Sequence, residues 1–140
     1  MLNNEAKLLN EALCEICPQR QAFLMVAHDL AGMLSLQEGL SVRRRQIIAA
    51  ATILHITYGQ IGMEMVRILE KSSYAPSYRR AILELVYSLE ETDASKDALI
   101  IHNALLLSEC MLCPEQTKML EKMILSSNAK RILEKYEYAE

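Results

Sequence analysis

Apolar residues recur every three or four positions along most of this chain, a spacing that places them on one side of an α-helix. Proline and glycine interrupt the pattern at Pro18, Gly39, Gly59 and Pro114. Because proline is tolerated in the first turn of a helix and glycine is common just after its end, these residues mark helix boundaries. The pattern predicts seven helical segments, at about 4–16, 18–36, 42–58, 62–71, 78–90, 98–112 and from 114 onward.

The third segment is predicted to be the central helix. Its stretch IIAAATILHI is apolar on nearly all sides, as expected of a helix surrounded by others. Ser41 and Ser77 precede predicted helices, where a serine side chain can accept hydrogen bonds from unpaired backbone N–H groups. Counts of Gly 4 and Pro 3 are low for a protein of short strands and tight turns. The prediction is an all-α fold, a single compact domain of six or seven helices over residues 1–140.

Charge and hydropathy narrow the set of partners and compartments. The formal net charge of −3 gives no electrostatic reason to expect nucleic acid or an anionic membrane as a partner. The start, MLNNEAKLLNEAL, mixes acidic and amide residues with apolar ones, unlike a signal peptide or an anchor. The longest apolar run, about 47–56, contains Thr52 and His55 and is too short to cross a bilayer. We therefore expect a cytoplasmic protein.

The four cysteines form two matching segments, CEICP and CMLCP, at Cys14, Cys17, Cys110 and Cys113. Each pair is predicted at the end of one helix, and the proline after it begins the next. A helix N-terminus favours a thiolate, the form that binds metal, and two residues between ligands let both sulfurs reach one tetrahedral ion. The segments therefore predict a structural zinc site on all four cysteines, provided that the fold brings the two pairs together.

Three other roles for the cysteines stay open. Free cysteine is among the most buried residue types, so ordinary buried thiols are the plainest interpretation. A redox-active pair is a second, and an iron–sulfur cluster on the same four thiolates is a third. If the second and sixth helices run antiparallel, Cys17 and Cys110 lie at the same end of the molecule, and if they run parallel the two pairs diverge.

The three histidines, His28, His55 and His102, lie on three different predicted helices, each among apolar neighbours. A core or boundary histidine with its ring N–H satisfied is the ordinary role for each. His28 precedes Asp29, but adjacent residues on a helix point in different directions, so this dipeptide alone makes no site. A site built from all three histidines is left open.

Three long stretches resemble the HD-domain family of metal-dependent phosphohydrolases. RRRQIIAAATILHITYGQIG resembles the family's central helix, which ends in an apolar run followed by a His-Asp pair. IGMEMVRILEKSSYAPSYRRAILELVYSLEE is similar to the next two helices, and DALIIHNALLLSE to a late helix with an Ala-Asp pair. The resemblance covers about 19–109, in pattern and spacing, and it implies an HD-like helical bundle.

At the family's metal-binding positions this sequence departs from the pattern. The resemblance places His55 at the histidine of the His-Asp pair, with Ile56 instead of aspartate. The other expected ligands fall near Ala22 or Phe23, near Ser88 or Leu89, and at Leu105. Alkyl and aromatic side chains offer no lone pairs to a divalent cation. The resemblance thus implies a scaffold that has lost its phosphohydrolase chemistry, with His55 as a residual site residue.

Arg43, Arg44 and Arg45 form the longest basic run. They are interpreted either as solvated side chains whose stems cover apolar surface or as ligands for phosphate or an acidic partner. The combined pattern predicts a non-catalytic regulatory or protein-interaction domain, with a protein partner or self-association, and with no nucleic acid or membrane. The alternative is an enzyme, either a divergent metal-dependent phosphohydrolase or a CxxC thiol redox protein.

Overall fold

The computed structural model describes residues 4–59, 61–89 and 95–112, and these residues form helices with no strand among them. The helices are α1 (Asn4–Glu15), α2 (Pro18–Gln37), α3 (Val42–Tyr58), α4 (Met63–Lys71), α5 (Pro76–Leu89) and α6 (Lys96–Leu112). The all-α prediction is therefore confirmed for the described part of the chain. The predicted seventh helix, from 114 onward, lies outside the described residues.

The junction between α1 and α2 contains the first cysteine pair. Cys17 is the N-cap of α2 in an extended conformation, and Pro18 occupies the first helical position as predicted. The Gln21 side chain reaches back to the end of α1, where its Nε2 donates to the carbonyl of Leu13 at 2.7 Å and more weakly to that of Ile16 at 3.3 Å. These bonds satisfy carbonyls that a helix end leaves unpaired. Together with the contact between His28 and Glu5 they show that α1 and α2 run in opposite directions, and both helices pack against α3.

The turn from α2 to α3 follows the predicted helix signals. Gly39 has a φ of 72°, a left-handed conformation that glycine adopts without steric cost. Ser41 is the N-cap of α3, and its hydroxyl accepts from the backbone N–H of Arg44 at 3.3 Å. This cap is the one predicted for the third helix.

Two predicted helix starts were wrong. The fifth helix begins at Pro76, so Ser77 lies inside it and is not its cap. The sixth begins at Lys96, two residues early, because the Ser95 hydroxyl accepts from the N–H of Ala98 at 3.2 Å. In both cases a residue upstream of the predicted start allows the helix to begin earlier. The fixed φ of Pro76 suits the first turn of α5, and the Ser95 hydroxyl accepts a hydrogen bond from a backbone N–H in the first turn of α6.

The core is built around α3, which packs against α1, α2, α5 and α6. Ile53, Leu54 and Ala50 on α3 are fully buried, which confirms α3 as the central helix. The buried Thr52 satisfies its hydroxyl within the helix by donating to the carbonyl of Ile48 at 2.7 Å. Each large apolar side chain buried in this way contributes roughly 1.5–3 kcal/mol relative to an exposed one.

Polar contacts between helix ends fix the helix directions. Arg20 at the start of α2 donates to the carbonyl of Ile56 near the end of α3, at 2.8 Å. Arg44 at the start of α3 pairs with Asp97 at the start of α6. Lys96 lies 3.6 Å from the carboxylate of Glu38, just past the end of α2. Because α2 also packs along α6, α2 runs antiparallel to both α3 and α6. None of the described helices is long and apolar enough to cross a membrane.

Candidate functional site

A polar cleft lies where α1, α2 and the first turns of α3 meet, with a volume of about 370 Å³. Its polar lining consists of Glu5, His28, Asp29, Ser35, Arg45 and Gln46, and its apolar lining of Gly32, Val42 and Ala49. A smaller cavity of about 180 Å³ adjoins it, since Glu5 and Gln46 line both, and adds Asn4, Tyr74, Ala75 and Tyr78. We call these two together the polar cleft. Its size is in the range of small-molecule sites.

His28 is held on one side of the polar cleft by Glu5. Its Nε2 lies 2.8 Å from the Glu5 carboxylate, and the side chains are 15% and 32% exposed. The hydrogen bond to Glu5 raises the pKa of His28 above 6.5, although burial of the ring acts in the opposite direction. The pair therefore favours an imidazolium that donates Nε2–H to the carboxylate.

The second ring nitrogen of His28 is buried and has no hydrogen-bond partner among the described residues. Asp29 is nearest, with an oxygen 3.7 Å from Nδ1, which is too far for a hydrogen bond. The Asp29 side chain is 72% exposed and stands at the rim of the polar cleft. The two side chains are nevertheless within ion-pair distance, and the charge of Asp29 adds to the rise in the pKa of His28.

The three arginines of the basic run have three different surroundings. Arg43 lies over the ring of Tyr78, with 4.6 Å from its guanidinium carbon to the ring centroid, and Arg44 pairs with Asp97. Arg45 lines the polar cleft, and its buried Nε finds no partner within the described ranges. Arg45 as a whole is half-buried, and its Nε is not solvated; a buried guanidinium N–H that lacks an acceptor costs free energy.

Tyr74 lies in the loop between α4 and α5 and is 8% exposed. Its hydroxyl is buried and lacks a hydrogen-bond partner in the part of the chain that the structure describes. Burial, together with the nearby charge of Glu5, raises the pKa of Tyr74 to about 12. The phenol therefore stays protonated at neutral pH and can act as a hydrogen-bond donor.

His28 Nδ1, Arg45 Nε and the Tyr74 hydroxyl are the buried side-chain polar atoms without partners among the described residues. All three belong to residues that line the polar cleft. Buried polar groups in folded proteins are nearly always hydrogen-bonded. Two such atoms on residues of the larger cavity and a third on a residue of the adjoining cavity therefore mark the polar cleft as a place for a polar ligand.

The cysteines of the predicted zinc site are only partly described. Cys14 and Cys17 are exposed at the α1–α2 junction, whereas Cys110 is buried near the end of α6, and Cys113 lies outside the described residues. Within the described ranges, no three His, Cys, Asp or Glu side chains form a group that could hold a metal ion. The antiparallel α2 and α6 are the arrangement that the zinc hypothesis requires, and the four-cysteine site itself stays a prediction.

The other two histidines, His55 on α3 and His102 on α6, are not among the residues that line the polar cleft. His55 Nδ1 is 3.2 Å from the carbonyl of Gly59, just past the end of α3. Burial and the proximity of His55 lower the pKa of His102 below 6.5. His28 is paired with Glu5 instead, and no metal-binding group joins the three within the described residues.

The positions that the HD resemblance assigns to metal ligands do not fit a divalent cation. Ile56 is buried in the core and Leu105 is half-buried on α6, while Ala22 is exposed on α2. Ser88, at another of these positions, donates its hydroxyl to the carbonyl of Leu85 at 2.7 Å. None of these side chains offers the carboxylate or imidazole donors on which such a site depends.

Sequence reasoning missed Glu5, Gln46 and Tyr74. Glu5 and Gln46 look like ordinary polar residues on amphipathic helices, and nothing in the pattern indicates that they share one opening. Tyr74 offered a weak signal, since an aromatic residue in the Ser- and Pro-containing loop SSYAPS suggests a side chain anchored in the core.

An exposed apolar surface borders the polar cleft. Met33 and Leu36 on the outer side of α2 are 46% and 61% exposed, and Val42 at the start of α3 is 59% exposed. Val42 also lines the polar cleft. We call these three residues, two on α2 and one at the start of α3, the α2 apolar face.

Comparison of the chain with protein-family models, with curated proteins and with solved structures finds no match. The relationship to HD domains therefore stays a prediction from the sequence pattern.

Proposed function

We propose that this chain is a non-catalytic regulatory domain, on an HD-like helical scaffold, that binds a small molecule in the polar cleft. The observation that carries the proposal is that three buried polar atoms without hydrogen-bond partners among the described residues, on His28, Arg45 and Tyr74, belong to residues that line the two adjoining cavities of the polar cleft. A ligand that satisfies them recovers the free energy that each unmade hydrogen bond costs, roughly 1–3 kcal/mol. Binding therefore stabilises the packing of α1 against α2 and α3.

Binding without turnover is favoured by the surroundings of the candidate nucleophile. Ser35 is the hydroxyl residue on α2 that lines the polar cleft, and it donates to the carbonyl of Gly32 at 3.0 Å. His28 Nδ1, which would have to activate a nucleophile, is not hydrogen-bonded to Ser35 or to any other described side chain. A nucleophile and its base normally lie within hydrogen-bond reach of each other.

Regulation requires that ligand binding be communicated to a partner, and we propose that the partner is a second copy of this chain on the α2 apolar face. Asp29 and Arg45 beside this face carry opposite charges, so two copies can meet there without net repulsion although the chain as a whole carries −3. Leu36→Asp is expected to reduce self-association in sedimentation experiments, and Tyr87→Asp, at an exposed tyrosine on α5, is the control. A monomeric wild-type protein would contradict this part of the proposal.

The predicted zinc site would clamp the ends of the bundle in this regulatory domain. The antiparallel α2 and α6 support it, because they put the α1–α2 junction and the end of α6 at the same end of the bundle. Elemental analysis of protein purified without an affinity tag tests it, and one zinc per chain that is lost in Cys17→Ser is the expected result. Exposed thiols at Cys14 and Cys17 suit a reducing compartment, and we therefore propose a cytoplasmic location.

One observation favours an enzyme as the second candidate. A carboxylate that orients a histidine, as Glu5 does with His28, is the arrangement of a general base. If His28 has that role, a substrate must bring the proton that Nδ1 accepts. An activity that His28→Gln abolishes, with ligand binding retained, would support this candidate. Thiol exchange that depends on Cys14 and Cys17 would instead identify a redox protein.

The proposed function is tested by filling the polar cleft. Gly32 lines it, and a Cβ added there meets nothing within 4 Å, so Gly32→Leu starts a side chain at the opening from a position with free space. We expect at least one compound of a small-molecule panel to raise the melting temperature of the wild type but not of Gly32→Leu. Ala22→Leu, at an exposed position on the same helix, is the control and should retain the response. The proposal is contradicted if no compound raises the melting temperature of the wild type, or if the compounds that do so raise that of Gly32→Leu equally.

A further inference from the structure

The three unpartnered atoms of the polar cleft share one chemical property, which is that they donate. The Nε of Arg45 carries a hydrogen and has no acceptor capacity at all. The Tyr74 phenol is protonated throughout the neutral range. His28 gives its Nε2–H to Glu5, and in the imidazolium its Nδ1 is a donor as well. Three donors require acceptor lone pairs. The carboxylate of Asp29 lies 3.7 Å from His28 Nδ1, beyond hydrogen-bond distance, and none of the three donors is hydrogen-bonded to a described residue.

We infer that the polar cleft binds a small molecule through an oxyanion, a carboxylate or a phosphate, held by Arg45, His28 and Tyr74. This inference rests on the proposed function and names its class of ligand. A planar guanidinium and neighbouring N–H and O–H donors match the several lone pairs of an oxyanion, and charge-assisted bonds of this kind are the strong ones. Arg45 forms no ion pair with a described residue, so its charge is available to the ligand.

The rest of the lining limits what else the ligand carries. Val42 and Ala49 offer apolar surface, which suits a short hydrocarbon body. The lining also holds two carboxylates, Glu5, which is paired with His28, and the exposed Asp29 at the rim, so a second anionic group on the ligand would be repelled. The inferred ligand is therefore a small molecule with a single oxyanion and an apolar part.

A matched series of probes tests this chemistry. Butyrate, butyramide and butylammonium share one hydrocarbon body and differ in the charge of the head group, and inorganic phosphate separates the two kinds of oxyanion. Binding to the whole chain is followed by NMR titration, since probes this small bind at roughly millimolar concentrations. Butyrate or phosphate should bind at least about tenfold more tightly than butyramide and butylammonium.

Two variants test the residues. Arg45→Ala should weaken oxyanion binding about tenfold or more, whereas Arg44→Ala, the neighbour paired with Asp97 outside the polar cleft, should leave it within about twofold. Tyr74→Phe removes a single oxygen atom and should weaken binding about fivefold or more with the fold intact. It therefore reports on the site even if Arg45→Ala folds poorly.

The outcomes separate this inference from the proposed function. If butyramide or butylammonium binds as tightly as butyrate, the inference of an oxyanion ligand is wrong, and the proposal that the polar cleft binds a small molecule still stands. Binding of butyrate or phosphate with no loss in Arg45→Ala and Tyr74→Phe overturns the assignment of the donors. If no probe binds and the panel has no effect on the wild type, both the inference and the proposed function fall.

Discussion

His28 and His102 lie in two regions of the bundle that give the same side chain opposite behaviour. Between α1 and α2, His28 has the carboxylate of Glu5 at 2.8 Å, and its pKa is raised above 6.5. Between α3 and α6, His102 is half-buried close to His55, and its pKa is lowered below 6.5. The first region stabilises a positive charge and the second opposes one.

This difference indicates where the chemistry of the molecule lies. The region around His55 is the one to which the HD resemblance points, yet Ile56 and Leu105 there offer no lone pairs. The region around His28 belongs to no recognised motif, and it gathers charged and donating groups around an opening. We therefore propose that the function resides in the polar cleft and not in the region around His55.

The largest stability effect is expected from Glu5→Gln, which removes the carboxylate that His28 contacts. A hydrogen bond to a charged group contributes about 1.5–3 kcal/mol, so the variant should lose about 2 kcal/mol of unfolding free energy near pH 6. NMR titration should show the pKa of His28 falling and that of His102 unchanged. Glu11→Gln, at an exposed position on the same helix, should stay within about 0.5 kcal/mol of the wild type. A parallel fall at His102 would show that the two regions are not independent.

A smaller effect of the opposite sign is expected from Tyr74→Phe. The ligand-free protein buries a hydroxyl with no described partner, so its removal should raise the unfolding free energy by about 1 kcal/mol. Chemical denaturation measures the change. Tyr78→Phe is the matched control, because that ring lines the same cavity and its hydroxyl is not among the buried atoms without partners. A destabilised Tyr74→Phe would mean that the hydroxyl is already satisfied in solution.

The smallest effect is expected in the pH dependence of the unfolding free energy, to which His28 and His102 contribute with opposite signs. Because the folded pKa of His28 is raised, its contribution is full below pH 6.5 and is lost as the pH rises through the folded pKa. The folded pKa of His102 is lowered, so its cost to stability appears as the pH falls below 6.5. Measured from about pH 5 to about pH 8, the stability deficit of His28→Gln should shrink with rising pH. The unfolding free energy of His102→Gln should rise relative to that of the wild type as the pH falls. If the stability differences between each variant and the wild type changed in the same direction with pH, the comparison between the two histidines would be contradicted.

The sequence predicted the helices better than the site, for a physical reason. Apolar spacing and the cap at Ser41 are local signals, and local hydrogen bonds and burial decide where α3 begins. The polar cleft instead combines residues far apart in sequence, such as Glu5 and His28, and only the packing of α1 and α2 against α3 brings them together. The errors at Ser77 and at the start of α6 came from local signals that compete within a few residues.

The most direct test of the account is to map the shifts of the backbone and side-chain N–H signals during titration with butyrate and with phosphate. The account predicts that the largest changes occur at the Nε–H of Arg45, the ring of His28 and the amide of Gln46, with the ring of His102 unaffected. Largest changes around His55 and His102, with none at Arg45, would contradict it and return the functional site to the region that resembles an HD domain.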